Sequence, residues 1–312
     1  MLQLDMALPF LKYPGGKRNI IDTLRDRFPK KFNRYFEPFL GGGAVFFEIN
    51  HSSSVLNDIN RNISNAYVNI KNNPSLVIRH LKKLSHHYKK LSSKRWIRNH
   101  HLKNLQKRKI SSKEKFYYQK RDEFNLLIEN KEYGPINTSL LIFLNRTCFN
   151  GIYRENKAGS FNVPHGRYQH SKEIDTIVKD DALLKASKVL KNTKIYSLDF
   201  QKIFKKAKPG DFFYIDPPYM PLSKTSHFTM YDKSGFDKND QLRLRSAIQE
   251  LHEKGCFFMF NNSDQPYIRE LYTNNIIWDS SKFKIDIAQA KRSVNSKGSQ
   301  RGKVNELIIT NY

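Results

Sequence analysis

The chain has 312 residues, 55 of them Lys or Arg against 29 Asp or Glu, for a formal net charge of +26. With 38% hydrophobic and 13% aromatic residues it can bury a sizeable core, which excludes the disordered class and suits one large domain or a core with a smaller insertion. No stretch reaches the roughly 20 apolar residues of a membrane span, and Cys148 and Cys256 stand alone, without zinc-ligand or disulfide spacing, so no metal is expected.

In chain order, Met1 to Pro9 lacks the charged head and apolar core of a signal peptide, so a cytoplasmic protein is expected. Tyr13-Pro14-Gly15-Gly16-Lys17 then leads into a helix marked by Ile20, Ile21, Leu24 and Phe28 and closed by Pro29. Tyr35-Phe36-Glu37 meets Gly41-Gly42-Gly43 as a strand meets a loop; Ala44 to Ile49 reads as helix and Ser54 to Asp58 as a second strand. From about Pro74 to Asn192 the character changes to a basic helical block. Sixteen Lys or Arg and one acid, Glu114, lie between Arg79 and Arg121, over a helical period of Leu76, Leu81, Leu84, Tyr88 and Leu91. Such a run is either a solvated helix face or a grip on the DNA backbone. Bulk charge has two readings as well: a nucleic-acid partner, or a lysine-rich, AT-rich coding sequence. Strand signals return at Lys194 to Leu198 and Asp211 to Ile215. Asp237 caps a helix with apolar positions Leu242, Ile248 and Leu251 and a stop at Gly255. Cys256 to Phe260 reads as a buried strand, Lys282 to Ile287 and Val304 to Thr310 as two more. Alternating strands and helices on both sides of an insertion predict a mostly parallel α/β sheet.

Chemistry concentrates at Asp216-Pro217-Pro218-Tyr219, directly after an apolar strand, where open α/β sheets bind ligands. Two prolines fix the backbone and remove two N–H donors, leaving carbonyls free to accept. Asp216 and the Pro217 carbonyl can each accept one hydrogen of an exocyclic amine, which localises its lone pair, and Tyr219 can stack on the base. A proline-rich turn with an N-capping Asp is the plain alternative. Glu37-Pro38-Phe39-Leu40-Gly41-Gly42-Gly43 supplies a glycine turn after the first strand, without the Gly-x-Gly-x-x-Gly of pyrophosphate binders. Asp58 follows the second strand at the spacing from which an acid reaches a ribose hydroxyl. Together they fit a nucleoside without pyrophosphate, such as S-adenosyl-L-methionine; tight strand–helix packing would also use the glycines. The segment Asn145-Arg146-Thr147-Cys148-Phe149-Asn150-Gly151-Ile152-Tyr153-Arg154, continued through Phe161-Asn162-Val163-Pro164 to Arg167-Tyr168, is a hairpin-like loop of aromatics and arginines. Arg154 suits a bidentate pair with guanine, and Phe149 a wedge into the base stack. Phe161 and Val163 also suit plain packing of the small domain.

The order and wording of these segments resemble the Dam-type (D12 class) N6-adenine DNA methyltransferases. The resemblance rests on Leu11 to Lys17, Phe36 to Phe46, Leu56 to Asn60, Asp216 to Leu222, Phe228-Thr229-Met230-Tyr231, Asn262-Ser263-Asp264 and Arg301 to Leu307, and so covers nearly the whole chain. It implies a class I methyltransferase-like, Rossmann-like sheet from residues 1–75 and 193–312, with a helical target-recognition domain inserted at 76–192. It implies an adenine-specific DNA methyltransferase that takes its methyl from S-adenosyl-L-methionine and acts on an adenine flipped out of double-stranded DNA, in GATC or another GAT-containing site. By the resemblance Tyr13, Lys17, Asp58 and Asp216 contact the cofactor and Asp199-Phe200 lies beside its adenine. Lys12, Phe149, Ile152, Arg154 and Pro164 match positions serving recognition and intercalation; Arg146 and Asn150 of the same segment are counted with them. Family members often carry Trp where this chain has Tyr13. A monomer is expected, with a cognate restriction endonuclease of the same site as a partner to look for. The rivals are an RNA or protein methyltransferase, the protein-glutamine type commonly having Asn for the Asp, and a DNA-binding protein without activity.

Overall fold

Phe212-Phe213-Tyr214-Ile215 is apolar at every position because both faces of its strand are covered. Phe212 and Tyr214 join one buried cluster with Tyr35, Leu56, Met259 and Ile308. Phe213 and Ile215 join another with Phe36, Val55, Phe258 and Ile309. Alternate residues of a strand leave opposite faces, so one sheet feeds two cores. The computed structural model describes residues 7–93, 96–98, 109–166, 177, 179–219, 236–273, 282–291 and 303–312. The motif positions Met220 to Leu222, Phe228 to Tyr231, Arg167-Tyr168 and Arg301-Gly302 lie outside the described residues.

In chain order the strands are β1 (Tyr35–Glu37), β2 (Ser54–Asn57), β3 (Trp96–Arg98), β4 (Lys109–Ser111), β5 (Lys194–Tyr196), β6 (Phe212–Ile215), β7 (Phe257–Ser263), β8 (Lys284–Lys291) and β9 (Lys303–Thr310). Among the described residues seven of these form one sheet, in the order β5-β2-β1-β6-β7-β9-β8. Pairings among the first five are parallel, while β9 runs antiparallel to both β7 and β8. The mostly parallel α/β sheet expected from the sequence is therefore present. One face carries α1 (Ile21–Arg25), α2 (Ala44–Ile49), α3 (Arg61–Asn72), α4 (Pro74–Lys90), α5 (Ser112–Glu129), α6 (Pro135–Thr147) and α7 (Asp180–Leu190). The other carries α8 (Phe200–Phe204), α9 (Lys238–Glu253) and α10 (Pro266–Thr273).

Two expectations are corrected. The basic block is not helical throughout: Trp96–Arg98 pairs antiparallel with Lys109–Ser111, and Ile110, fully buried, anchors that ladder. The buried face of α9 runs through Leu244, Ile248 and Leu251, and Leu242 is exposed, because the capping box of Asp237 and Asp240 sets where the helix starts and so which side turns inward. The strand order reverses at β1, with β2 on one side and β6 on the other. That reversal opens a crevice beyond the carboxyl ends of these strands.

Candidate functional site

Every strand around the crevice delivers one of the singled-out segments to it. Residues 37–43 follow β1, Asp58 follows β2, Asp199 follows β5 and Asp216 to Tyr219 follow β6. From the other direction β9 brings Glu306, which pairs with Ser263 at the end of β7. Lys17, in the 3-10 turn Lys17–Ile20, reaches into this group. Its Nζ lies 2.8 Å from Asp216 Oδ1 and 3.6 Å from Glu306 Oε2, donates to the Gly15 carbonyl at 3.0 Å and sits 4.8 Å from the centre of the Tyr219 ring. The Lys17 side chain is 5% exposed and that of Asp216 is 19% exposed. Burial works against the Lys17 ammonium, but the charges of Asp216 and Glu306 overcome it and raise its pKa. Burial pushes Asp216 up to about 6; Lys17 opposes that rise and Glu306 adds to it. The Tyr219 hydroxyl is raised well above 10, first by burial and then by the charges of Asp216 and Glu306.

Beside this ion group the glycine turn does two jobs. Gly41 has φ +46, and a Cβ there would come within 2.8 Å of the Tyr13 ring, so the space of its missing side chain is taken by an aromatic expected from the resemblance to contact the cofactor. The Gly41 N–H donates to Asp58 Oδ2 at 2.8 Å, and the Asn60 N–H to Asp58 Oδ1 at 2.9 Å. The buried acid thus fixes the turn after β1 to the turn after β2. Asn57, which the sequence did not single out, adds a second tie: its amide donates to the Pro38 and Leu198 carbonyls and accepts from the Leu198 N–H. Phe39 packs on Phe200 at 5.5 Å and edge-on to Phe236 at 5.7 Å. Asp199 caps α8 through Gln201 and pairs with Arg243 at 2.8 Å, another side chain with no signal in the sequence. Glu37 lies deeper, buried in β1, accepting from the Tyr35 hydroxyl at 2.7 Å. Burial pushes it up to about 8 despite that bond, so at pH 7 it is mainly protonated.

A second cluster forms where the chain leaves α6. Asn145 accepts from the Lys12 N–H at 2.8 Å and donates to the Lys12 and Gly151 carbonyls, pinning the N-terminal segment to the turn Phe149–Gly151. A Cβ on Gly151, at φ +63, would strike the Lys12 side chain at 2.5 Å. Phe149 N–H donates to Pro164 O, and the bridges Cys148 to His165 and Glu155 to Phe161 close the expected hairpin-like loop. These contacts bring Lys12 and Pro164 to the turn that holds Phe149 and Asn150, and Ile152 and Arg154 follow that turn in sequence. Phe149 is 52% exposed, while Phe161 and Val163 are buried and belong to packing. Arg154 Nε donates to Asn162 at 2.8 Å. Arg146 is set apart: half-buried, it donates to the Phe10 carbonyl at 2.8 Å and lines a cavity with Arg18 and Lys179. Burial and the nearby Arg18 charge lower its pKa.

The family model for D12 class N6 adenine-specific DNA methyltransferases matches residues 13–294. The chain belongs to this family. It is 38% identical over 306 residues to the type II methyltransferase M1.LlaDCHI of Lactococcus lactis, covering 97% of this chain and 95% of that one. It is 36% identical over 317 residues to the type II methyltransferase M.MjaIII of Methanocaldococcus jannaschii, covering 97% and 99%. It is 30% identical over 302 residues to the DNA adenine methylase of Haemophilus influenzae, covering 96% and 92%. As a D12-class enzyme the protein is an adenine-specific DNA methyltransferase, and its +26 charge has a polyanionic substrate to meet. Among the described residues no helix is long and apolar enough to cross a membrane.

Proposed function

We propose that the enzyme transfers a methyl group from S-adenosyl-L-methionine to N6 of an adenine flipped out of duplex DNA, within GATC. The observation that carries the reading is the Asp216 carboxylate at the switch point of the sheet, held on one oxygen by Lys17 and beside Tyr219. The surrounding residues fit an adenosyl ligand. The Phe39–Phe200 pair offers aromatic faces, acids follow β2 and β5, and no pyrophosphate loop is present. Tyr13, Lys17, Glu37, Pro38, Phe39, Gly41, Gly42, Gly43, Asp58, Asp199, Phe200 and Asp216 are the residues that would hold that ligand. S-adenosyl-L-methionine, once bound, supplies an electrophilic methyl group.

The protein's own contribution is to position and polarise the acceptor. An adenine amine is a weak nucleophile because its lone pair is shared with the ring. Asp216 Oδ2 and the Pro217 carbonyl accept its two hydrogens, Pro218 keeps the loop rigid, and Tyr219 stacks on the base. Lys17 keeps Asp216 ionised, so a negative oxygen faces N6 as positive charge develops there. Phe149 fills the gap left by the flipped base.

Residues 76–192 serve as the target-recognition domain in this reading, with residues 1–75 and 193–312 forming the catalytic domain. The gathering of Lys12, Phe149, Asn150, Ile152, Arg154 and Pro164 around one turn supports GATC, the match already drawn from the sequence. The type II names of two relatives favour a restriction endonuclease of the same site as partner. Plasmid from expressing cells should resist a nuclease that cuts only unmethylated GATC. Complete cutting would leave another GAT-containing site as the target.

A further inference from the structure

Between the recognition loop and the cofactor loop lies a hydrogen-bond network that the proposed reaction does not use. The Tyr153 hydroxyl donates to Glu155 Oε1. Asn62 Nδ2 reaches the Tyr153 hydroxyl at 3.1 Å and Glu155 Oε1 at 3.3 Å. Asn60 Nδ2 reaches the same carboxylate oxygen at 3.0 Å. Tyr153 is 1% exposed and Asn62 is buried, while Asn60 and Glu155 are half-buried; among the described residues Asn62 Oδ1 is left without a partner. On one side of the network stands Arg154, flanked in sequence by its two members. On the other stands Asp58, held by the Asn60 N–H, and beyond it the Gly41 turn. The Tyr153 ring is also stacked on Tyr13 at 6.2 Å and 19°.

We infer that Tyr153, Glu155, Asn60 and Asn62 form a positioning latch that couples base reading at Arg154 to cofactor binding at Asp58. The inference rests on the roles given to Arg154 and Asp58 in the proposed function. A shift of Arg154 onto its base moves Tyr153 and Glu155 with it. Their amide partners Asn60 and Asn62 stand at the start of α3, on the same turn as Asp58. No atom of the latch touches the reacting groups. Its effect is confined to how strongly each ligand favours the other, and such coupling is reciprocal.

The test measures S-adenosyl-L-methionine affinity on the full chain, alone and with a duplex carrying the methylated site identified by sequencing. The wild type should bind the cofactor about 5-fold or more tighter with the duplex present, within the usual range of coupling. Asn62→Asp sets a second carboxylate against Glu155 and should bring that ratio to about 1. Adding Glu155→Gln restores a donor–acceptor pair and should restore the ratio. A merely structural lesion would weaken binding in both conditions and leave the ratio in place. Tyr153→Phe, which loses only a hydroxyl, gives the same readout should Asn62→Asp not fold. A wild-type ratio near 1, or wild-type coupling kept in both Asn62→Asp and Tyr153→Phe, overturns the latch. Arg154→Ala separates the two ideas. Unchanged site discrimination in that variant sinks the role of Arg154, whatever Asn62→Asp does.

Discussion

In the crevice proposed for catalysis the charges are already matched: buried Lys17 sits between Asp216 and Glu306, buried Asp58 on two backbone N–H groups, and Arg243, partly exposed, on Asp199. In the turn proposed to read the target Phe149 is 52% exposed and Arg154 is held by one neutral amide, Asn162. The contrast separates two demands. Methyl transfer needs acceptors that do not reorganise when charge develops, so the crevice is assembled in advance. Reading a base needs donors that can leave a weak partner for a better one, so the turn keeps its side chains half in solvent.

Asp216→Ala is the sharpest way to break that comparison. It removes the acceptor proposed for N6, and a loss of about 10²- to 10³-fold in single-turnover methylation is expected, on the scale of lost preorganised electrostatic groups. Duplex affinity should change little, because the recognition turn lies elsewhere. Substantial methyl transfer by this variant on DNA, in a radiolabel assay run beside RNA, would contradict the assigned role. Arg154→Ala should do the reverse. It should cut discrimination between the target and a one-base variant by about 5- to 150-fold, the 1–3 kcal/mol of a bidentate pair, and spare the chemical step on saturating DNA. Equal loss on both duplexes would mean that Arg154 grips the backbone instead.

A smaller effect is expected from acid. In the proposed reaction Asp216 accepts from the amine as a carboxylate, and burial pushes its pKa up to about 6. The single-turnover rate should therefore be flat above that value and fall about tenfold per pH unit below it, reflecting the fraction ionised. A limb near pH 4 would show that Lys17 outweighs burial.

How much of this was legible depends on distance along the chain. β1 and α2 could be read to the residue, because Tyr35-Phe36 opens a short run that ends before Pro38 and the glycines, and Ala44 to Ile49 is a run of good packing residues. β7 outran its apolar stretch: Asn261 and Asn262 continue it although polar, since β9 supplies ladder partners in Ile308 and Leu307 and both are buried there. The β3–β4 ladder hid in a charge run whose local signal was helical. At the site, the tetrapeptide and the glycine turn announced themselves through spacing. The Lys17–Glu306 contact joins residues almost a whole chain apart, and the Tyr153–Asn62 bond joins the loop after α6 to α3. Neither leaves a local pattern, and only the folded sheet places them together.

Glu37 marks the edge of the comparison, as a carboxyl inside the crevice with no cation on it. It is held by the Tyr35 hydroxyl and raised from 4.5 to about 8, chiefly by burial. Between those pH values the folded chain keeps a proton that the unfolded chain has released. Folding then takes up a proton, and stability falls as pH rises from 4.5 to 8, with nothing further lost above. Asp216 acts in the same direction between 3.8 and about 6. Glu37→Gln keeps an oxygen for Tyr35 and removes the titration, so the variant should gain on the wild type as pH rises. The gain should be read as a higher urea midpoint at pH 8.5 and a difference close to nil at pH 5. Parallel stability curves across that interval would mean that Glu37 titrates alike in the folded and the unfolded chain, against the effect of its burial.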